Sequence, residues 1–322
     1  MRVLIDTTFT RRGHTGAGVY VERLVAALRA EGVDVVEAAN ERRRPPAGGG
    51  LGSARNLASD VAWTQLRLRR QDGDVVHHPM PAHVAGERRP QVVTVHDVAY
   101  EVEPGWFDAR FRAFASRALR RAAQRADVVV CGTEATARDL RTRWGLERVV
   151  VAPYGPGQEL DVPERGEPRH FLYVGDAEPR KDLPTLLAAH ARYAAATRDP
   201  LPLVLAGSAT AHQPGVEARG RVTERELAEL HAGAAALVHP SRHEGFGFTV
   251  VEALHAGTPV IAARSEAIEE VAGDSALLVE PGDVDALARA LANPPQPVRD
   301  RRFSWAACAR AHIEAYSLAA ST

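Results

Sequence analysis

The chain has 322 residues, 45% hydrophobic and 25% charged, which is enough for about two domains with sizeable cores. A formal net charge of −1 excludes the basic surface of a nucleic-acid binder. The two cysteines, Cys131 and Cys308, lie far apart without metal-ligand spacing, which excludes a zinc or disulfide scaffold and points to a reducing, cytoplasmic setting.

Of the 40 basic residues only Lys181 is a lysine. Its position therefore asks for a compact ammonium rather than a planar fork. MRVLID reads as a strand rather than a signal peptide, and no apolar run approaches a membrane span. Gly13, Gly16 and Gly18 then lead into VYVERLVAALRAEG, which is apolar at helical spacing, and GVDVVEA (Gly32–Ala38) is the second strand. This opening is Rossmann-like. The glycines nevertheless fall well past the strand end, and G-x-x-G-x-G is not the dinucleotide fingerprint, so Glu37 is not read as the ribose ligand of NAD.

ERRRPPAGGGLGS (Glu41–Ser53) reads as a surface loop, with a grip on an acidic acceptor or an anionic membrane as the alternative. Ala54–Arg70 is expected to be a helix. DVVHH (Asp74–His78) is a strand whose His77 and His78 are taken as structural. QVVTVHD (Gln91–Asp97) ends in His96-Asp97, at the C-terminal strand end where ligands of open α/β sheets bind. An arginine-rich helix follows VAYEVEPGWF, and the strand Val149–Val151 closes the first half. Pro153–Pro168 is a plausible hinge, and HFLYVG (His170–Gly175) starts a second Rossmann-like half. Arg180 and Lys181 precede an amphipathic helix, and TERELAELHAGA (Thr223–Ala234) opens with the Thr-x-x-Glu of a capping box.

The densest stretch is HPSRHEGFGFTVVEALHAGTP. A buried strand (Ala235–His239), a loop holding Gly245 and Gly247, a helix (Thr249–Gly257) and a strand (Val260–Ala263) follow one another. The loop presents backbone N–H groups at a positive helix end, which suits a phosphate. Glu244 and Glu252 bracket it, and a carboxylate can accept two hydroxyl hydrogen bonds at once. Phosphates and diols together describe a sugar nucleotide. Solvated glutamates in an ordinary strand–loop–helix unit are the competing reading.

EGFGFTVVE resembles the E-x7-E motif of GT-B glycosyltransferases of the retaining family 4. The flanking GRVTERELAELHAGAAALVHPSRHEGFG and GTPVIAARSEAIEEVAGDSALLVEPGDVDALARAL are similar to it too. More loosely, the N-terminal half resembles the mannosyltransferase-like branch. The resemblance implies two Rossmann-like, doubly wound α/β domains facing across a cleft. Residues 1–160 would form the acceptor side and 161–305 the nucleotide-sugar domain, with helix 306–322 packing back onto the first.

It further implies transfer of a hexosyl unit from a nucleoside-diphosphate sugar, of GDP-mannose or UDP-sugar type, to an acceptor hydroxyl with retention of configuration. Lys181 carries over directly as a diphosphate ligand. Arg180 is less direct, because many members have arginine where this chain has Asp176. Glu244 would hold sugar hydroxyls and Glu252 the ribose, with Gly245, Phe246, Gly247 and Phe248 in the donor loop between them. Val222, beside Arg221, would lie against the base, His96 would touch the transferred sugar, and Gly16 and Gly18 would line the floor near the phosphates. Neither a metal nor a cofactor is implied, since no Asp-x-Asp cluster occurs near a strand end. The expected partners are the donor and a small-molecule, glycan or lipid-linked acceptor. A sugar-nucleotide 2-epimerase of the same fold and a non-catalytic sugar-nucleotide-binding protein are the alternatives.

Overall fold

The structure is a computed structural model that describes residues 1–8, 10, 15–43 and 51–321. Gly13 and the middle of the Arg/Pro/Gly-rich segment lie outside the described residues. Two compact units emerge, one of Met1–Gly155 with Ser304–Thr322 and one of Pro156–Phe303.

In the first unit, short runs rich in Val and Ile form six strands: β1 (Arg2–Asp6), β2 (Asp34–Ala38), β3 (Val75–His78), β4 (Gln91–Thr94), β5 (Val128–Cys131) and β6 (Val149–Val151). Their order is β2-β1-β3-β4-β5-β6 and every pairing is parallel. Such strands are covered on both faces, which is why they read as continuous apolar runs. Helix α1 (Gly16–Ala30) starts at Thr15, whose side chain accepts the Gly18 amide, and buries Tyr20, Val21, Leu24, Val25 and Leu28 on one stripe.

The C-terminal helix Trp305–Ala320 belongs to this unit and buries His312 and Tyr316 against it. Tyr316 Oη lies 2.8 Å from His77 Nδ1, and His77 Nε2 lies 2.8 Å from Thr94 Oγ1. Tyr20 Oη in turn meets Thr94 Oγ1 at 2.8 Å and His312 Nε2 at 2.7 Å. This is a buried polar network in which every member finds a partner, so His77 is indeed structural. Leu51–Ser53 differ from the sequence reading. They begin a helix, Leu51–Ala62, that takes in Gly52 and runs on through a π turn at Trp63–Arg67; the run of three consecutive glycines ends at Gly50, just before it. Glu37 forms an ion pair with Arg29 at 2.8 Å.

The second unit has strands β7 (His170–Val174), β8 (Leu203–Ala206), β9 (Val216–Gly220), β10 (Ala234–His239), β11 (Val260–Ala263) and β12 (Leu277–Val279). The order β12-β11-β10-β7-β8-β9 is parallel throughout, the doubly wound arrangement. Phe171, Tyr173, Leu186, Leu205, Val238 and Ile261 form its core with helix α2 (Leu183–Ala196). Helix α3 (Glu224–Gly233) follows β9, and α4 (Phe248–Ala256) joins β10 to β11. The winding direction reverses between β7 and β10, and a ligand crevice belongs past their C-terminal ends.

Candidate functional site

Two loops emerge at that switch point. The one after β7 ends in the turn Pro179–Lys181 and then Asp182, the only non-glycine with positive φ among the described residues, at 47°. A non-glycine residue persists there only when its surroundings over-determine it. Asp182 Oδ2 accepts from Thr185 Oγ1 at 2.9 Å and from Arg242 Nε at 2.6 Å, while Arg242 N donates to the Arg180 carbonyl at 2.9 Å. The loop after β10 thus clamps the loop after β7.

The clamp brings three of the expected residues together. Lys181 Nζ donates to Glu244 Oε1 at 2.6 Å, and Arg180 donates to Glu244 Oε2 at 3.0 Å. His239, at the end of β10, places Nε2 3.2 Å from Glu244 Oε1 and Nδ1 3.1 Å from Thr249 Oγ1. Burial alone would raise the Glu244 carboxyl, but Lys181, His239 and Arg180 outweigh it and hold it well below the usual range. The His239 imidazole is lowered, chiefly by burial.

Gly247 N-caps α4 at φ 89°, with no side-chain cap and no acidic residue in the first helical turn. A Cβ there would lie 2.7 Å from Ile268 Cδ1, so only glycine fits this corner. Gly245 is buried beside it. Phe246 is buried with its ring 5.6 Å from Phe248 and 5.5 Å from Phe303, and anchors the loop to the core.

Glu252 stands apart from the cluster. It is buried one turn into α4 and accepts the Gln158 amide at 3.0 Å. Val222 is half-buried just ahead of α3, where the capping box between Thr223 and Glu226 is fully formed. Asp176 Oδ1 accepts from the Ser208 hydroxyl and so faces the loop after β8. Gly207 in that loop has φ 118°, and a Cβ there would sit 2.2 Å from the Gly175 carbonyl oxygen.

In the first unit His96 Nε2 donates to the Pro79 carbonyl at 3.1 Å, and Nδ1 lies 3.0 Å from Tyr154 Oη. A carbonyl only accepts, so the proton is on Nε2 and the Tyr154 hydroxyl donates to Nδ1. Burial, opposed by Asp97 and the Pro79 carbonyl, lowers this imidazole to about 4, and it is neutral. Gly16 is exposed at the start of α1, and Gly18 is buried with its amide on Thr15. Among the described residues no three His, Cys, Asp or Glu side chains gather to hold a metal, and no helix is long and apolar enough to cross a membrane.

The family described as "Glycosyltransferase Family 4" matches residues 14–155, and "Glycosyl transferases group 1" matches residues 168–293. The chain belongs to the family 4-like GT-B glycosyltransferases. It is 24% identical over 302 residues to the O-antigen chain mannosyltransferase B of Escherichia coli, covering 80% of this chain and 79% of that one. It is 29% identical over 304 residues to the MMP alpha-(1->4)-mannosyltransferase of Mycolicibacterium hassiacum, covering 79% and 72%. In fold it is similar to the sucrose-phosphate synthase of Thermosynechococcus elongatus, with TM-score 0.69, 20% identity and coverage of 100% and 94%. The glycosyltransferase WaaG, involved in lipopolysaccharide biosynthesis, gives TM-score 0.65 at 20% identity, with coverage of 100% and 98%.

Sequence reasoning missed three parts of this glycosyltransferase's charged cluster: His239, Thr249 and the Asp182–Arg242 clamp. His239 had a usable signal, since it is the last residue of a strand that points at the switch point. The clamp had none, because a left-handed aspartate carries no local pattern and Arg242 lies 60 residues away.

Proposed function

We propose that this glycosyltransferase moves a hexosyl unit from a nucleoside-diphosphate sugar to an acceptor hydroxyl with retention of anomeric configuration. The observation that carries this reading is the Lys181–Glu244–Arg180 cluster at the uncapped N-terminus of α4. It sets two cations and a helix dipole beside a carboxylate that can accept hydroxyls. The names of the two mannosyltransferase relatives support a mannosyl donor.

Breaking the anomeric C–O bond leaves negative charge on the diphosphate and positive charge on the sugar ring. Lys181, Arg180 and the start of α4 stabilise the first of these, which is where preorganised charge contributes most. When the diphosphate takes over the cations, Glu244 turns its lone pairs to the sugar hydroxyls. Glu252 accepts from the ribose, and Val222 borders the base. His96, neutral and hydrogen-bonded at both nitrogens, presents a fixed uncharged ring to the sugar and does not exchange protons near neutral pH. The acceptor oxygen forms its new bond on the face that the diphosphate leaves, and its proton passes to a diphosphate oxygen. Two cations beside the leaving group make a divalent ion unnecessary. Cys131 and Cys308, both buried and not joined in a disulfide, support a cytoplasmic setting.

The test is a thermal-shift panel of GDP, UDP, dTDP and ADP sugars, followed by NMR of the product anomer with and without EDTA. A donor at about 100 times its dissociation constant adds roughly 2.7 kcal/mol of stability. No shift with any sugar nucleotide, or an inverted product, would overturn this reading. Conversion of donor alone would replace it with the epimerase.

A further inference from the structure

The first unit contains a cavity of about 580 Å³, a size typical of small-molecule sites. It lies past the C-terminal ends of β1 and β3, where the order of the first sheet reverses, and Asp6 and His78 line its inner part. None of the groups assigned to the donor forms its chamber.

Three observations say what it takes. First, the walls are mostly carbon, with Trp63, Met80, Phe111, Phe114 and Leu119 among them. Phe111 and Phe114 are 44% and 42% exposed, and Val61, also on the wall, is 53% exposed. Three large apolar side chains exposed around one hollow mark a binding surface rather than scatter.

Second, the same helical run carries unbalanced positive charge. Arg121 and Arg125 line the cavity, and Arg117, Arg120 and Arg121 ring an adjoining hollow that shares Ala118 and Arg121 with it. None of these four guanidinium groups has a hydrogen-bond or ion-pair partner among the described residues. Other arginines of the chain are paired with carboxylates, for example Arg89 with Glu87 and Arg143 with Asp139. Like charges three and four apart on a helix repel, so the cluster suits an anion that comes from outside.

Third, the inner wall holds an unsatisfied acceptor. Val84 N donates to Gln91 Oε1 at 2.8 Å, and Gln91 Nε2 donates to the Val84 carbonyl at 3.2 Å, which fixes the amide orientation. His78 Nε2, 3.3 Å from that same Oε1, must then carry its ring's proton. Nδ1 is left as a bare acceptor, buried and without a protein partner. His78 is 1% exposed. A ligand hydroxyl is the group that would satisfy it.

We infer that this cavity binds the acceptor and that the acceptor is an anionic amphiphile. Its apolar body fills the Trp63–Met80–Phe111–Phe114 chamber, a hydroxyl serves His78, and a phosphate or similar anion rests on the arginine cluster. The acceptor assignment rests on the glycosyl-transfer reading above, whereas the ligand chemistry rests on this cavity alone.

The test is calorimetry of the full chain with decyl phosphate below its micelle concentration, against decanol and inorganic phosphate. Decyl phosphate is expected to bind saturably at one site and inorganic phosphate far more weakly. In the Arg117→Gln/Arg121→Gln variant decyl phosphate weakens by about tenfold or more, as loss of charge-assisted hydrogen bonds predicts, while decanol is unchanged. Ala118→Trp, on an exposed position between the two hollows, lowers decyl phosphate affinity without removing any charge. GDP binding, measured in the same samples, is expected to stay constant.

Equal affinity for inorganic and decyl phosphate would overturn the inference, as would decyl phosphate binding that both variants leave untouched. Binding only to anionic phospholipid vesicles, insensitive to Ala118→Trp, would overturn it in favour of a membrane-facing surface. Binding of GDP without decyl phosphate would sink this inference alone. Binding of decyl phosphate with no nucleoside diphosphate of any base would instead sink the glycosyl-transfer reading, and with it the assignment of this ligand as the acceptor.

Discussion

Glu244→Gln separates two consequences of one geometry. Glu244 is 8% exposed, and its carboxylate serves Lys181 at 2.6 Å and Arg180 at 3.0 Å, with those side chains 13% and 22% exposed. Glutamine keeps the shape and removes the charge, which leaves a buried ammonium without its counter-ion. Breaking one partner of a buried ion pair costs about 3–5 kcal/mol. Arg180 retains Glu178 at 2.8 Å, so the low end applies and about 3 kcal/mol is expected. With urea slopes of about 1–3 kcal/mol per molar, the midpoint falls by at least about 1 M. The same two cations are then released for a diphosphate, so the variant is expected to bind free nucleoside diphosphate on the order of tenfold more tightly. Turnover falls by about 10²-fold or more, because the sugar loses its acceptor where charge develops. Urea titration followed by circular dichroism, calorimetry with the nucleoside diphosphate and steady-state kinetics read the three effects separately. A variant as stable as the wild type, with unchanged nucleotide affinity, would refute the placement of the anion on Lys181 and Arg180.

Lys181→Ala is expected to lower kcat by about 10²-fold or more, and Lys181→Arg to restore only part of it, because a guanidinium fork does not reproduce a point charge; steady-state kinetics with saturating donor decide this. His78, His231 and His312 are each lowered to about 4, chiefly by burial. A base whose folded pKa is depressed contributes stability that is complete above its unfolded value of about 6.5 and is lost as pH falls toward the folded one. Each histidine therefore withdraws up to about 3 kcal/mol between roughly pH 6.5 and 4, and melting temperatures that stay flat from pH 7.5 to 5 would contradict this. Gly207→Ala sets a Cβ 2.2 Å from the Gly175 carbonyl at φ 118°, and is expected to cost at least about 2 kcal/mol of stability in the urea titration.

The parts of the fold carried by local chemistry were legible before any coordinates. Thr223 and Glu226 form their capping box because its rule spans three residues. β10, the glycine corner and α4 fall within a residue or so of their expected bounds, since apolar runs and a left-handed glycine are local signals. Lys181, Arg180 and Glu244 were each picked for a ligand, yet nothing in the sequence said that they would hold one another across 63 and 64 residues. That pairing follows from low dielectric, because cations aimed at a ligand site take the nearest buried carboxylate. The motif set Phe246 beside the donor, but its ring turns inward to Phe303, a contact 57 positions away that no short pattern encodes. His77 was rightly left structural, but its partners at residues 94 and 316 come from a strand and a helix that only the folded chain brings together.

The two sheets show how little of a ligand's chemistry is set by topology. Each is parallel, each reverses its winding once, and each sets loops past its strand ends at that reversal. In the second unit the residues that follow β7 and β10 are a lysine, an arginine and a glutamate, beside a helix N-terminus without a side-chain cap. A site built that way discriminates by charge, and on the function proposed above it is expected to take a diphosphate however the rest of the ligand is shaped. In the first unit the strand ends carry Asp6 and His78, and the space beyond them is walled by tryptophan, methionine and phenylalanine. A site built that way discriminates by apolar area, at about 25 cal/mol for each Å² removed from water, and charge enters only through the arginines at its edge. Relatives that share both sheets can therefore keep the donor chemistry of the second unit and still differ in acceptor. Substituting the wall residues of the first is the change expected to redirect this enzyme.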